Sequence, residues 1–169
     1  MAERFKGPTE PDARQKEILD EIARTRTTGT RGPFGPWLAN PDLAQTAQGL
    51  GRICRYETDL PLRESEIVIL TTAKACNCKL EWDIHVEEAR KAGVPEDVIG
   101  VLDAGKQLEG DSREAALQRF AHEVASAKHA SDAAYADMKK YFSDKEIVET
   151  VAVSGYYSFV AMTLNVFQI

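Results

Sequence analysis

Between positions 74 and 85 the chain reads KACNCKLEWDIH, which crowds Cys76, Cys78, Glu81, Trp82 and His85 into one short stretch. A helix beginning at Asn77 or Cys78, with Asn77 as its cap, would carry Cys78, Glu81 and His85 on one stripe, because three, four and seven residues separate them. A thiol in the first turn of a helix faces unpaired N–H groups and the positive end of the helix dipole, which favours thiolate. Glu81 and His85 are within hydrogen-bonding reach at that spacing, so the carboxylate would orient the ring and raise its basicity. Trp82 lies beside the stripe, where it would shield it from water. A carboxylate, an imidazole and a thiol against an apolar wall can do acid–base or nucleophilic chemistry. The same residues also have ordinary uses: Glu–His pairs occur on solvated helix faces, and cysteine fills space in alanine-rich helices. The Cys-x-Cys spacing differs from the usual zinc pairings and the cluster offers only three ligands, so no metal is expected.

The elements that must position this cluster read as helices. Ile18, Leu19, Ile22 and Ala23 recur at helical spacing from about Asp12 to Thr25, with Pro11 suited to the first turn. The following TTGTRGPFGPW cannot continue a helix through its glycines and prolines. That loop carries Phe34 and Trp37, which either plug a groove or wall a ligand pocket. Asn40 and Pro41 open a second long helix reaching about Tyr56, with Cys54 as a buried small hydrophobe. A third starts near Leu62; its run EIVILTTA could be a buried strand, but the alanines that follow and the lack of alternation favour helix. Gly93 ends the helix bearing the cluster and Pro95 opens the next. Two more follow, at about 112–128 and 131–141. Ser143 and Glu146 then form a capping box for a last helix running almost to the C-terminus. The fold class is all-α.

Composition narrows the function. At 169 residues the chain predicts a single domain, 1–169, with residues 1–40 as an extension on a motif-bearing core of about 41–169. A net charge of −6 with dispersed basic residues argues against nucleic acid as a partner. The N-terminal sequence lacks the apolar core of a secretory signal, and no run suggests a membrane span, so a cytoplasmic location is expected. Three cysteines do not read as a disulfide framework.

Glu66, Cys78 and His85, at separations of twelve and seven, resemble the pattern of the carboxymuconolactone decarboxylase and AhpD-like alkylhydroperoxidase superfamily. The stretch Asn77-Cys78-Lys79-Leu80-Glu81-Trp82-Asp83-Ile84-His85 is similar to the superfamily's N-C-x-Y-E-W-x-x-H version, and Glu88 to Val94 is similar to the A-x-x-A-G-V segment that follows it. The likeness extends from about Leu60 to Leu102, and Glu146 with Tyr156-Tyr157 fits the closing segment. It implies an all-helical AhpD-like domain that needs no cofactor, acts on a small molecule, and assembles as a homotrimer or homohexamer with active sites near subunit contacts.

In the peroxidase branch two cysteines three residues apart react with peroxide and resolve it, and a glutamate and a histidine relay protons. Here the second of those positions is Glu81, so that dithiol cycle has lost its partner, and Cys76 is the only nearby substitute. The lactone decarboxylase branch needs no thiol, but its arginine-rich motif around the histidine is missing, and only Lys74 and Lys79 are close in sequence to receive a substrate carboxylate. The leading expectation is a decarboxylase-like enzyme doing acid–base chemistry on a small organic acid or lactone. His85 would be its general acid/base, Glu81 its partner, Glu66 a second carboxylate and Cys78 a polar or nucleophilic neighbour. Phe34, Trp37 and Trp82 would wall the pocket. The alternatives are a thiol hydroperoxidase using Cys78, and a non-catalytic helical binding or assembly module.

Overall fold

The computed structural model describes residues 4–27 and 29–169. Its described residues form helices α1 (Ala13–Thr25), α2 (Phe34–Trp37), α3 (Pro41–Tyr56), α4 (Leu62–Ala75), α5 (Lys79–Lys91), α6 (Glu96–Asp103), α7 (Arg113–Ala127), α8 (Asp132–Lys139) and α9 (Asp144–Phe167). No strand occurs among them. The all-α expectation is met.

Helix α4 is the axis of the fold, packed against α5, α7 and α9. Every residue from Glu64 to Ala73 is buried. A helix enclosed on all sides has no polar face, so its sequence shows neither a stripe nor an alternation. That is why this run reads equally well as a strand.

The caps explain where the elements begin. Asp12 Oδ1 accepts from the Gln15 N–H at 2.8 Å, and Gln15 Oε1 accepts from the Asp12 N–H at 2.9 Å. This capping box makes Asp12 the boundary of α1 and places Pro11 outside the first turn, one correction to the sequence reading. Asn40 caps α3 by accepting from the Leu43 N–H at 3.2 Å, with Pro41 at the first helical position as expected. Ser143 and Glu146 form the expected capping box at α9.

The junction between α4 and α5 differs from expectation. Asn77 does not start α5; it ends α4, in the left-handed conformation at φ 50°. Its N–H donates to the Lys74 carbonyl at 3.0 Å and the Cys78 N–H donates to the Ala73 carbonyl at 2.9 Å. These two bonds make a Schellman closure, in which asparagine is the usual substitute for glycine. Cys78 is consequently the N-cap of α5. The sharp reversal lets α5 fold back along α4, so that residues from both helices reach one site.

The N-terminal segment packs onto this frame through α1 and α2, both against α3. Ile18, Ile22, Phe34, Trp37 and Leu38 join one continuous core with residues of α3, α4, α7 and α9. Gly35 lies under the backbone of Lys6 and Gly7, where any side chain would strike the Lys6 carbonyl. Helix α9, read from sequence without any suggestion of a membrane span, is in fact long and apolar enough to pass for one. More than half of that apolar window is buried against the rest of the protein, which accounts for its composition as a core helix.

Candidate active site

Four elements converge on His85. Its residue is 7% exposed, and its Nδ1 lies 2.9 Å from Glu66 Oε2 on α4. Arg55, from the buried face of α3, places NH1 at 3.0 Å from Glu66 Oε1 and 3.0 Å from the same His85 nitrogen. A carboxylate only accepts, so Nδ1 must carry a hydrogen and donate it to Glu66. Nδ1 then has no lone pair for Arg55, whose NH1 is held by the other oxygen of Glu66. This arrangement leaves Nε2 as the ring's free nitrogen. Tyr157 from α9 stands edge-on to the imidazole, with centroids 5.0 Å apart and planes at 85°.

Burial pushes the pKa of His85 below the ordinary imidazole value and outweighs the contact with Glu66 that would raise it. A neutral imidazole with a free Nε2 at pH 7 is a base. Arg55 is the fixed charge of the group: NH2 also donates to Glu88 Oε2 at 3.1 Å, and Nε donates to the Tyr56 hydroxyl at 3.1 Å. Its cation therefore has two carboxylate partners, Glu66 and Glu88.

Glu81 does not pair with His85, contrary to the reading of their spacing. The residue is 2% exposed, and neither oxygen has a hydrogen-bond partner. Burial alone drives its pKa well above the ordinary carboxylate value. The protonated form is thus favoured, which makes Glu81 an acid where the sequence suggested a base's companion. The role of orienting His85 belongs to Glu66, which crosses from the neighbouring helix.

Cys78 also departs from expectation. It is 2% exposed, and burial pushes its thiol pKa up to about 11, more than the N–H groups of the first turn can offset. The thiol is protonated at neutral pH. Cys78 and Trp82 line a recess with Lys74, Asn77, Lys79 and Asp103, and Trp82 stacks under the Lys74 ammonium there. Trp82 therefore lies at the Cys78 end of the stripe and is not among the residues that line the cleft at His85. Cys76 faces α9, its Sγ 3.8 Å from Ser158 Oγ.

The pocket that contains Glu81 and His85 is a different, narrow cleft with a cavity volume of about 50 Å³. Arg26, Phe34, Arg55, Tyr156 and Tyr157 help to line it. Phe34 lines this cleft and at the same time packs in the core. Trp37 is a core residue: it stacks on Phe159 at 4.8 Å, and its Nε1–H donates to Thr163 Oγ1 at 3.0 Å.

The sequence reading missed Arg55 and Arg26, and looked instead to Lys74 and Lys79. Those lysines are engaged by Asp103 and Asp83 respectively. A signal existed for both arginines. Arg55 falls on the same stripe as Ala44, Ala47, Gly51 and Cys54, and Arg26 continues the stripe of Ile18 and Ile22. A cation on the buried stripe of an amphipathic helix asks for a partner inside the fold.

Residues 41–123 match the model of the Carboxymuconolactone decarboxylase family. No curated protein gives a significant match. Among solved structures, the chain superposes on a cysteine-to-alanine variant of the debrominase Bmp8 in complex with 2,3,4-tribromopyrrole with a TM-score of 0.79, at 14% identity over 99% of this chain and 91% of that one. A peroxidase-related protein from Silicibacter sp. TM1040 gives a TM-score of 0.77 at 15% identity, covering 97% of this chain and 87% of the other. A protein of unknown function from Agrobacterium tumefaciens, for which an AhpD-type antioxidant role has been suggested, gives 0.70 at 21% identity over 82% and 96% of the two chains. These likenesses establish the shared fold, and the family match covers the helices that carry Arg55, Glu66, Glu81 and His85. Residues 41–123 thus carry the pattern of the Carboxymuconolactone decarboxylase family, on a helical fold that the chain shares with these AhpD-like and peroxidase-related structures.

Proposed function

We propose that this protein is an enzyme that does acid–base chemistry on a small organic acid or lactone, without a reactive thiol. The observation that carries the reading is Glu81, a buried carboxyl with no partner for either oxygen, in the wall of the pocket that also holds His85. Such an acid is costly to fold. It is useful where charge develops on a bound substrate.

The chemistry follows from the two protonation states. When carbon dioxide leaves an unsaturated acid, the C–C bond breaks and its electron pair enters the conjugated carbonyl as an enolate. The Glu81 O–H hydrogen-bonds to that oxygen and stabilises the charge, and His85 Nε2 takes a proton from solvent and delivers it to the carbanion carbon, which replaces the lost carboxylate by hydrogen and returns the ring to its neutral form. Glu66 holds the ring in the tautomer this requires, and Arg55 holds Glu66. Fold alone does not select the reaction, since the fold's relatives carry different names for their chemistry. The burial of Cys78, its raised pKa and its place outside the pocket weigh against a thiol hydroperoxidase.

A homotrimer or homohexamer is part of the same proposal. Apolar residues remain exposed on α9 at Val148, Val151, Met162 and Val166, and on α3 at Leu43, Leu50 and Ile53, which supports contacts between copies. Analytical ultracentrifugation tests it, and a monomer at micromolar concentration would refute it.

The test of the reaction is a panel of unsaturated acids and lactone acids incubated in D2O and followed by proton NMR for carbon dioxide loss or solvent exchange. Wild-type protein is expected to turn over at least one member. His85→Ala is expected to lose about 10²–10⁴-fold of that rate, the usual contribution of a positioned acid or base. Turnover that survives His85→Ala would overturn the proposal.

A further inference from the structure

We infer that Arg26 forms a carboxylate subsite in this pocket, supplied by the N-terminal segment that precedes the family-matched residues. The inference rests on the reading of the pocket as an active site and names the class of molecule it takes: a small acid or lactone acid with a flat apolar body and an anchoring carboxylate distinct from any group lost as carbon dioxide.

Arg26 is the C-cap residue of α1 and is nine-tenths buried, yet it lines the pocket beside Glu81 and His85. Its NH2 donates to the Gln48 carbonyl at 2.5 Å. Its Nε, also buried, has no partner among the described residues, and its guanidinium makes no ion pair with a described carboxylate. The other charges of the site do not supply one. Glu66 and Glu88 both hold Arg55, and Glu81 is driven toward its neutral form. A cation taken out of water without a counter-ion is costly, and an anion brought by a ligand removes that cost. A planar guanidinium suits a carboxylate in particular.

The surroundings shape the rest of the ligand. The Arg26 guanidinium carbon lies 5.7 Å from the centroid of the Phe34 ring, so a carboxylate on Arg26 places its body along an apolar wall that continues to Ile84, Val160 and Leu164. Arg31, exposed at the mouth, adds positive potential along the way in. Gly51 makes the placement possible: any side chain there would overlap the Tyr156 hydroxyl and crowd Arg26. The arginine that the sequence appeared to lack near His85 comes from a different part of the chain.

Benzoate is the probe, with benzamide as its neutral counterpart, and isothermal titration calorimetry the measurement. Wild-type protein is expected to bind benzoate at least tenfold more tightly than benzamide. Arg26→Gln should weaken benzoate at least tenfold and leave benzamide unchanged, Arg26→Lys should weaken it less, and Lys79→Gln should have no effect. Equal binding of the two probes by wild-type protein, no benzoate binding, or benzoate binding indifferent to Arg26→Gln would overturn the subsite. The wild-type comparison and Arg26→Lys decide the matter even where Arg26→Gln fails to fold. Arg26-dependent benzoate binding in a protein that turns over nothing in the panel would sink the enzymatic reading and leave the subsite standing. Turnover with benzoate binding indifferent to Arg26 would do the reverse.

Discussion

Replacing Glu66 with glutamine tests the architecture around His85 in one step. Glu66 accepts two hydrogen bonds in the buried site, from Arg55 NH1 at 3.0 Å on one oxygen and from His85 Nδ1 at 2.9 Å on the other. Glutamine offers one acceptor and one NH2, so in either orientation a donor meets a donor. It also removes the charge that balances Arg55, leaving only Glu88, which already receives Lys91. Breaking a buried ion pair by neutralising one partner costs about 3–5 kcal/mol. Against a typical stability of about 5–15 kcal/mol, the variant should still fold. His85 has one inexpensive response: the proton moves from Nδ1 to Nε2, so that Nδ1 accepts from the new amide. The nitrogen that served as base then carries a hydrogen. Equilibrium urea unfolding at pH 7 should show the loss with an unchanged slope, and nitrogen-15 spectra of the imidazole should show the exchanged tautomer. A loss under about 1 kcal/mol with the proton still on Nδ1 would refute the argument, because both donors would then have kept their partners.

Other substitutions separate function from stability. Glu81→Met removes two buried oxygens without partners, each costing about 1–3 kcal/mol, so urea unfolding at pH 7 should show a more stable protein that has lost turnover. Cys78 should react with iodoacetamide at pH 7 far more slowly than a free cysteine, since its thiol is buried and its pKa is about 11; mass spectrometry of the labelled peptide measures this. Gly51→Ala should destabilise by about 1–3 kcal/mol by forcing Tyr156 and Arg26 apart, read as a lowered Tm. The depressed pKa of His85 means that the unfolded chain takes up a proton before the folded one does as pH falls below about 6.5, the ordinary imidazole value. Stability should therefore decline with acidification through that window, and His85→Gln should remove this part of the decline in a urea series from pH 7 to 5.

The fold was legible in the sequence because its caps and breaks are local chemistry. Asn40 with Pro41, Ser143 with Glu146, and Gly93 each act within a few residues, and each marks the boundary that the sequence implied. Asn77 was misread because the same residue type caps either end of a helix, and only the tertiary reversal of α5 onto α4 decides which. The site was legible as a set of residues but not as a set of contacts. Spacing along α5 brought Glu81 and His85 together, whereas the hydrogen bond to His85 comes across from Glu66 on α4. Arg55 and Arg26 were hidden for a related reason: each is remote in sequence and becomes part of the site only when α3 and the end of α1 close over it. Cys78 illustrates a competition of magnitudes, in which helix position favours thiolate and burial overrides it.

Whether Glu81 is held as a neutral acid beside a neutral His85 is read by a carbon-13 NMR titration of carboxyl-labelled glutamate, with Glu81 assigned by Glu81→Gln. The Glu81 resonance should stay at its protonated position through the pH range in which the exposed glutamates ionise, and titrate well above the ordinary carboxylate value of 4.5. A Glu81 midpoint among those of the exposed carboxylates would show an ionised side chain, and the acid–base assignment would fail.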